Sequence, residues 1–219
     1  KIQAQGDDYG SLNAQNEKPL AGKKVMLEFS SPNTNKPLHL GHLRNDALGE
    51  SVSRILKKAG AEVFKVNIIN NRGVHICKSM LAYIINHSGK PEYVTETGIS
   101  PDFKFTLKDT PESLGVKSDR FVGDCYVEFE KLCKPTGCTE DEEKALRPKY
   151  EAIAQSMLVE WEKGNEEIRK LWQQMNDWAI GGIKETYQRT DVSFDKLYYE
   201  SETYLKGKAE ILKGLEDGL

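Results

Sequence analysis

Glu28-Phe29-Ser30-Ser31-Pro32-Asn33-Thr34-Asn35-Lys36-Pro37-Leu38-His39-Leu40-Gly41-His42 is the stretch on which the reading of this 219-residue chain turns, because it joins an apolar run to an amphipathic one. Val25 to Phe29 reads as a short strand, and Ser30 to Pro37 is a turn-forming mixture of Ser, Pro, Asn and Thr. From Leu40 onward, Leu43, Ala47, Leu48, Val52, Ile55, Leu56 and Ala59 keep helical spacing. Gly60 then stands where a left-handed C-cap would end the helix.

Outward from this unit, Phe64 to Ile69 is a second strand candidate and a further helix runs through Val74, Met80, Ala82 and Ile84. Strand, helix, strand, helix in that order predicts an α/β fold: a partial, Rossmann-like nucleotide-binding parallel sheet with right-handed crossovers. Near Gly89 the pattern changes to a stretch with Pro91, Gly98, Pro101, Pro111 and Gly115, too long for an ordinary loop in a compact core. It predicts a mixed α+β and helical insertion. Within it, Thr139 with Glu142 fits a capping box, and Pro148 is expected to interrupt or restart the helix that follows.

The C-terminal third reads as helical, with core stripes at Ile168, Leu171, Trp172, Met175, Trp178, Ala179 and Ile183, and again at Leu205, Ala209, Leu212 and Leu215. Gly181-Gly182 predicts close packing or a bend. The expected organisation is an N-terminal extension over 1–22, a first half of the α/β domain over 23–87, an inserted connective lobe over 88–200, and a returning helix over 201–219.

Composition narrows the function classes. With 38% hydrophobic and 30% charged residues the chain can bury a core, and a net charge of −3 gives no overall basic excess for non-specific nucleic-acid binding. No apolar run approaches the ~20 residues of a membrane span, and the polar start is not a secretory signal. Four cysteines are too few for a disulfide scaffold, which agrees with a reducing, cytoplasmic setting. Cys133 and Cys138 lack two further close ligands, so no structural zinc is expected.

The chemistry sits at the strand-to-helix junction. A His-x-Gly-His tetrapeptide arises by chance on the order of once in two hundred such sequences, before a strand and a helix are required on its two sides. A helix N-terminus presents unpaired N–H groups and the positive end of its dipole, so polyphosphate can bind there. Gly41 lets a nucleotide lie against the backbone, His39 and His42 offer ring N–H donors across the first turn, and Lys36 adds a mobile charge. A zinc site or a satisfied core pair would be the competing readings, but zinc on a helix prefers His-Glu-x-x-His.

This segment, continued by Leu43-Arg44-Asn45, resembles the first signature of class I aminoacyl-tRNA synthetases in the form typical of arginyl-tRNA synthetases. Asn67 to Cys77, Val122 to Val127, and Phe194-Asp195 leading to Glu200-Ser201 are similar to segments of that family in the same order. The resemblance implies ATP binding by residues 32 to 42 (Pro32, Asn33, Thr34, Asn35, Lys36, Pro37, Leu38, His39, Leu40, Gly41 and His42). It implies catalytic roles for His39, His42 and Lys36, and arginine binding by Glu28, Asn33 and Glu200. ATP with Mg2+, arginine and its tRNA are the implied partners, with no membrane.

On the residues alone, Glu28 reads equally as a strand-edge carboxylate, Glu200 as a surface charge, Asn33 as a turn residue and Lys36 as a solvated lysine. Asn71 departs from the Asp the family often has in that block. The second signature loop and an anticodon-binding domain are not recognisable, so the expectation is an N-terminal piece of the catalytic domain, inactive alone, of an enzyme that forms arginyl-adenylate and charges tRNA. Another class I synthetase or nucleotidylyltransferase, or a non-catalytic RNA-binding paralog, is the alternative.

Overall fold

In a computed structural model, residues 2–6 and 18–218 are described. The loop expected over residues 7–17 lies outside them, and Ile2–Gln5 forms one helical turn, α1. Strands β1 (Lys24–Glu28) and β2 (Glu62–Ile69) pair in parallel, Lys24 opposite Glu62 through Glu28 opposite Val66, with helix α2 (Leu40–Lys58) lying between them in sequence. This is the crossover that the periodicity predicts. A third strand, β3 (Lys196–Tyr199), joins the other edge of β2 in parallel, giving the order β1-β2-β3. The C-terminal third is therefore not wholly helical. Four residues, Lys-Leu-Tyr-Tyr, are too few to declare a strand without the partner that pairs them.

Two compact units divide the chain: Lys1–Pro32 with Leu38–Ile69 and Tyr187–Leu219, and Asn33–Pro37 with Asn70–Thr186. Helix α3 (Val74–Asn86), whose residues from Ile76 to Ile84 are all buried, falls in the second of these units. A helix apolar on every side must be surrounded. It packs on α5 (Ser118–Cys133) and α6 (Glu140–Lys163), so it belongs with the second unit and not with the strands.

In the first unit, Lys65 anchors the sheet to its surroundings. Its Nζ, almost fully buried, donates to Glu50 on α2 at 2.8 Å and to Ser193 at 2.9 Å, while Asp195 exchanges bonds with its backbone at 2.6 and 2.8 Å. Arg54 extends the network from Glu50 to Asp191 at 2.7 Å.

Helix α2 corrects the expected stripe. Its buried residues are Asp46, Gly49 and Ser53, while Leu48, Val52 and Ile55 are exposed. Small residues let the helix settle tightly: a Cβ on Gly49 would fall 2.2 Å from the Phe29 ring. The larger apolar residues are left on the outer face. Helix α8 (Glu200–Glu216) behaves likewise, with Leu205, Leu212 and Leu215 exposed and Ala209 outside the core; its main packing is on β3 alone.

In the second unit the expectations for helix starts and stripes are met. Thr139 and Glu142 form the capping box of α6, with Glu142 N donating to Thr139 Oγ1 at 3.3 Å and Thr139 N to Glu142 Oε2 at 2.7 Å. Helix α6 nevertheless continues through Pro148, which removes one N–H donor without ending it. Along α7 (Glu166–Arg189), Ile168, Leu171, Met175, Trp178, Ala179 and Ile183 are buried as expected, with Trp172 half-buried. Tyr83, Phe121 and Trp178 form an aromatic cluster with ring centroids 5.4 to 6.2 Å apart. Gly182 serves close packing: a Cβ there would lie 2.6 Å from the backbone nitrogen of Asp119, at the start of α5. The short helix α4 (Pro111–Leu114) completes the unit.

Because backbone cannot yield as a flexible side chain does, Gly182→Ala should cost about 1–3 kcal/mol. The expected reading is a lower urea midpoint with an unchanged slope. A pH dependence follows from Glu50. Burial pushes its carboxyl up, but Lys65 and Arg54 outweigh that and hold it below its ordinary value. A depressed carboxylate contributes stability that is fully present above its unfolded value and is lost as pH falls through the lower folded value. Glu50→Gln should therefore destabilise the protein at neutral pH and make its stability less sensitive to acid, as measured by urea unfolding at a series of pH values.

Candidate functional site

The strand-to-helix junction begins with a strained turn. Ser30 and Ser31 have φ of 77° and 48°, a left-handed conformation that residues with a Cβ adopt at a cost of order 1–3 kcal/mol each. Three buried contacts hold it. Ser30 Oγ lies 2.6 Å from the Tyr187 hydroxyl, Asn67 Nδ2 donates to that hydroxyl at 3.1 Å, and Ser31 N donates to Asn67 Oδ1 at 2.9 Å. Burial pushes the Tyr187 phenol up to about 12, so it remains a neutral group that can both donate and accept. Phe194 packs its ring 4.6 Å from Phe29 and 5.2 Å from Tyr187. Asp46, almost fully buried on α2, has its carboxyl pushed up by burial, opposed by the Ser30 hydroxyl.

Helix α2 starts with a reciprocal cap made by the two histidines. His39 is the N-cap, with extended backbone; its Nδ1 accepts from Gly41 N at 3.1 Å, and His42 Nδ1 accepts from His39 N at 3.2 Å. The rings are 3.9 Å apart. Both Nδ1 atoms are thereby acceptors, which places the ring proton of each on Nε2. This refines the expectation that rings and backbone N–H groups together surround an anion. The imidazoles themselves take two of those N–H groups, being the nearest acceptors. A Cβ on Gly41 would meet His39 Cε1 at 2.9 Å, so the ring would have to shift to admit it.

Other candidates fall around this junction. Glu28 ends β1, exposed, and accepts from Ser31 Oγ at 3.4 Å. Glu200 follows β3 directly and opens α8, half-buried. In a parallel sheet both therefore stand at the C-terminal edge, where open α/β sheets bind ligands.

In the second unit, Asn33 forms a bridge with Asn70, Thr34 N donates to Asn70 O at 3.2 Å, and Thr34 and Asn35 are buried. Lys36 and Pro37 pack on α5 at Gly123, where a Cβ would lie 2.6 Å from Pro37 Cδ. The Asn71 carbonyl accepts from Trp172 Nε1 at 2.8 Å.

Comparison with known proteins decides the family. Residues 10–218 match the model described as tRNA synthetases class I (R), catalytic domain. The chain is 57% identical over 220 residues to the arginine–tRNA ligase of Treponema denticola, covering 100% of this chain and 32% of that protein. This chain belongs to the class I arginyl-tRNA synthetases. The corresponding ligase of Treponema pallidum is 50% identical over 218 residues, with 100% of this chain and 31% of that protein covered. Among solved structures, Thermus thermophilus arginyl-tRNA synthetase superposes with a TM-score of 0.60 at 25% identity, covering 90% of this chain and 27% of that one. The chain thus spans about a third of the length of the curated relatives it matches.

In this chain, sequence reasoning passed over Tyr187 and Asn67, which hold the turn, and Gly123, which meets Pro37. Tyr187 lies 157 positions from Ser30, and no local pattern connects them. Asn67 and Gly123 did stand in blocks that resemble the family, and that was the available signal. Among the described residues, no helix is long and apolar enough to cross a membrane.

Tyr187→Phe removes one hydroxyl and leaves Ser30 and Asn67 short of a buried partner. It should cost about 1–3 kcal/mol, measured by urea unfolding. Tyr187→Leu should cost more, because the packing against Phe194 is lost as well.

Proposed function

We propose that this chain supplies the ATP-phosphate and part of the arginine site of an enzyme that joins arginine to ATP as arginyl-adenylate and then transfers it to the 3′ end of its tRNA in the cytoplasm. The observation that supports the reading is the reciprocal histidine cap, in which Nδ1 of each ring accepts from the backbone at the start of a crossover helix. Attack of the arginine carboxylate on the α-phosphorus, with pyrophosphate leaving, builds negative charge on the equatorial oxygens. Preorganised donors that meet this charge stabilise the transition state more than bound ATP.

In this reading His39 and His42 donate to phosphate oxygens, and Lys36 contributes a mobile positive charge beside residues 32 to 42. Asn33 holds the amino-acid α-group with Glu28 nearby. Glu200 pairs with the guanidinium, for which a half-buried carboxylate at a helix start offers two-pronged geometry. Mg2+ would enter with the triphosphate, since it binds chiefly through substrate phosphates and water. The expected connective lobe would shape the path of the tRNA acceptor end.

In an arginyl-tRNA synthetase containing this segment, His42→Ala should slow adenylate formation by about 10²–10³-fold while changing ATP binding less. His42→Asn should retain part of the rate, because an N–H donor survives. If neither substitution altered ATP–pyrophosphate exchange in the presence of tRNA, the role given to His42 would be wrong.

A further inference from the structure

Away from the signature turn, in the second unit, the end of α3 and one face of α5 bring together donor atoms that adenylate chemistry does not use. His87, the residue after α3, places Nε2 3.0 and 3.2 Å from the two carboxylate oxygens of Glu128. Cys125 stands one turn before Glu128 on α5. The three ligand atoms, His87 Nε2, Cys125 Sγ and a Glu128 oxygen, all lie within 4.8 Å of one another. We propose that they form a binding site for a divalent ion of the zinc class, with a fourth position left to water.

The donor set, the spacing and the surroundings argue for this. Imidazole, thiolate and carboxylate together suit a borderline-soft ion that accepts tetrahedral geometry. With bonds of about 2.0–2.1 Å to nitrogen and oxygen, neighbouring ligand atoms in a tetrahedron stand about 3.3 Å apart. His87 and Glu128 are already at nearly that separation, and only the sulfur needs to draw in.

The outer partners are in place as well. Asp109 Oδ2 lies 3.3 Å from His87 Nδ1, so the carboxylate fixes the tautomer that turns an Nε2 lone pair toward the ion. Asp109 is itself held by two backbone bonds: its N donates to His87 O at 3.2 Å, and its O accepts from the Tyr83 hydroxyl at 3.1 Å. Asn86 Nδ2 donates to Glu128 Oε2 at 2.9 Å and orients that ligand. The Phe121 ring, 5.1 Å from the His87 ring, supplies an apolar wall. An ion pair of protonated His87 with two carboxylates would account for Asp109 and Glu128. It gives no part to the fully buried sulfur of Cys125.

On binding, the ion takes the Cys125 sulfur as thiolate and the His87 ring as neutral imidazole; the protons go to the buffer, and no oxidation state changes. The bound ion would fasten the end of α3 and the Asp109 loop to α5.

The test uses the chain itself, titrated with Co2+ and then Zn2+ at neutral pH. The expected result is one Co2+ per chain with a near-ultraviolet thiolate-to-cobalt charge-transfer band that Zn2+ abolishes. Cys125→Ser should remove the band, and Cys138→Ser should leave it. Since Cys125→Ser alters a buried position, Glu128→Gln and Asp109→Asn, which keep the thiol and the side-chain shape, provide a second reading. Each should weaken Zn2+ binding by about 10–100-fold in calorimetry. Absence of the band in the parent chain, a band that survives Cys125→Ser, or Zn2+ affinity unchanged in both Glu128→Gln and Asp109→Asn would overturn the proposal and leave a charged His–carboxylate cluster.

Discussion

The hydroxyl of Tyr187 joins Ser30, just past the end of β1, to Asn67 on β2. Two consecutive serines in left-handed conformation release the chain from β1 toward the signature helix, and neither is a glycine that would adopt that backbone without penalty. Tyr187 and Asn67 over-determine the turn by satisfying both serines from beneath. A neutral phenol suits the task, because a charged group in that buried place would carry its own desolvation cost.

The histidine cap has a structural role of its own beside the chemical one proposed for it. An N-cap is ordinarily Ser, Thr, Asp or Asn, and here two imidazoles do that work reciprocally. Using Nδ1 to cap the helix fixes the tautomer, with the ring proton on Nε2. A side chain at Gly41 would press on the His39 ring.

Glycine at close approaches is the second recurring device. Gly49 admits the Phe29 ring, Gly123 admits Pro37, and Gly182 admits the start of α5. Each brings an element of one unit within a distance that a methyl group would prevent. The same economy explains why α2 packs through Asp46, Gly49 and Ser53 and leaves its leucine and isoleucine outside. Proximity to the strand is gained with small residues, and the broad apolar side chains have no room beneath the helix.

From the sequence by itself came the α/β class, the parallel pairing of β1 and β2 across α2, the end of α2 at Gly60, the capping box at Thr139 and the buried stripe of α7. All of these rest on hydrophobic period, cap chemistry and connection handedness, which act over a few residues or follow from chirality. The His-x-Gly-His junction was legible for the same reason, as a local pattern between a strand and a helix. Only the tertiary structure decided that α3 packs among the insertion helices, that Lys196–Tyr199 is a strand, that the α8 leucines are exposed, and that Tyr187, Gly123 and the His87 cluster hold their places. These depend on partners from tens to more than a hundred positions away, and periodicity carries no information about which distant segment a face will meet.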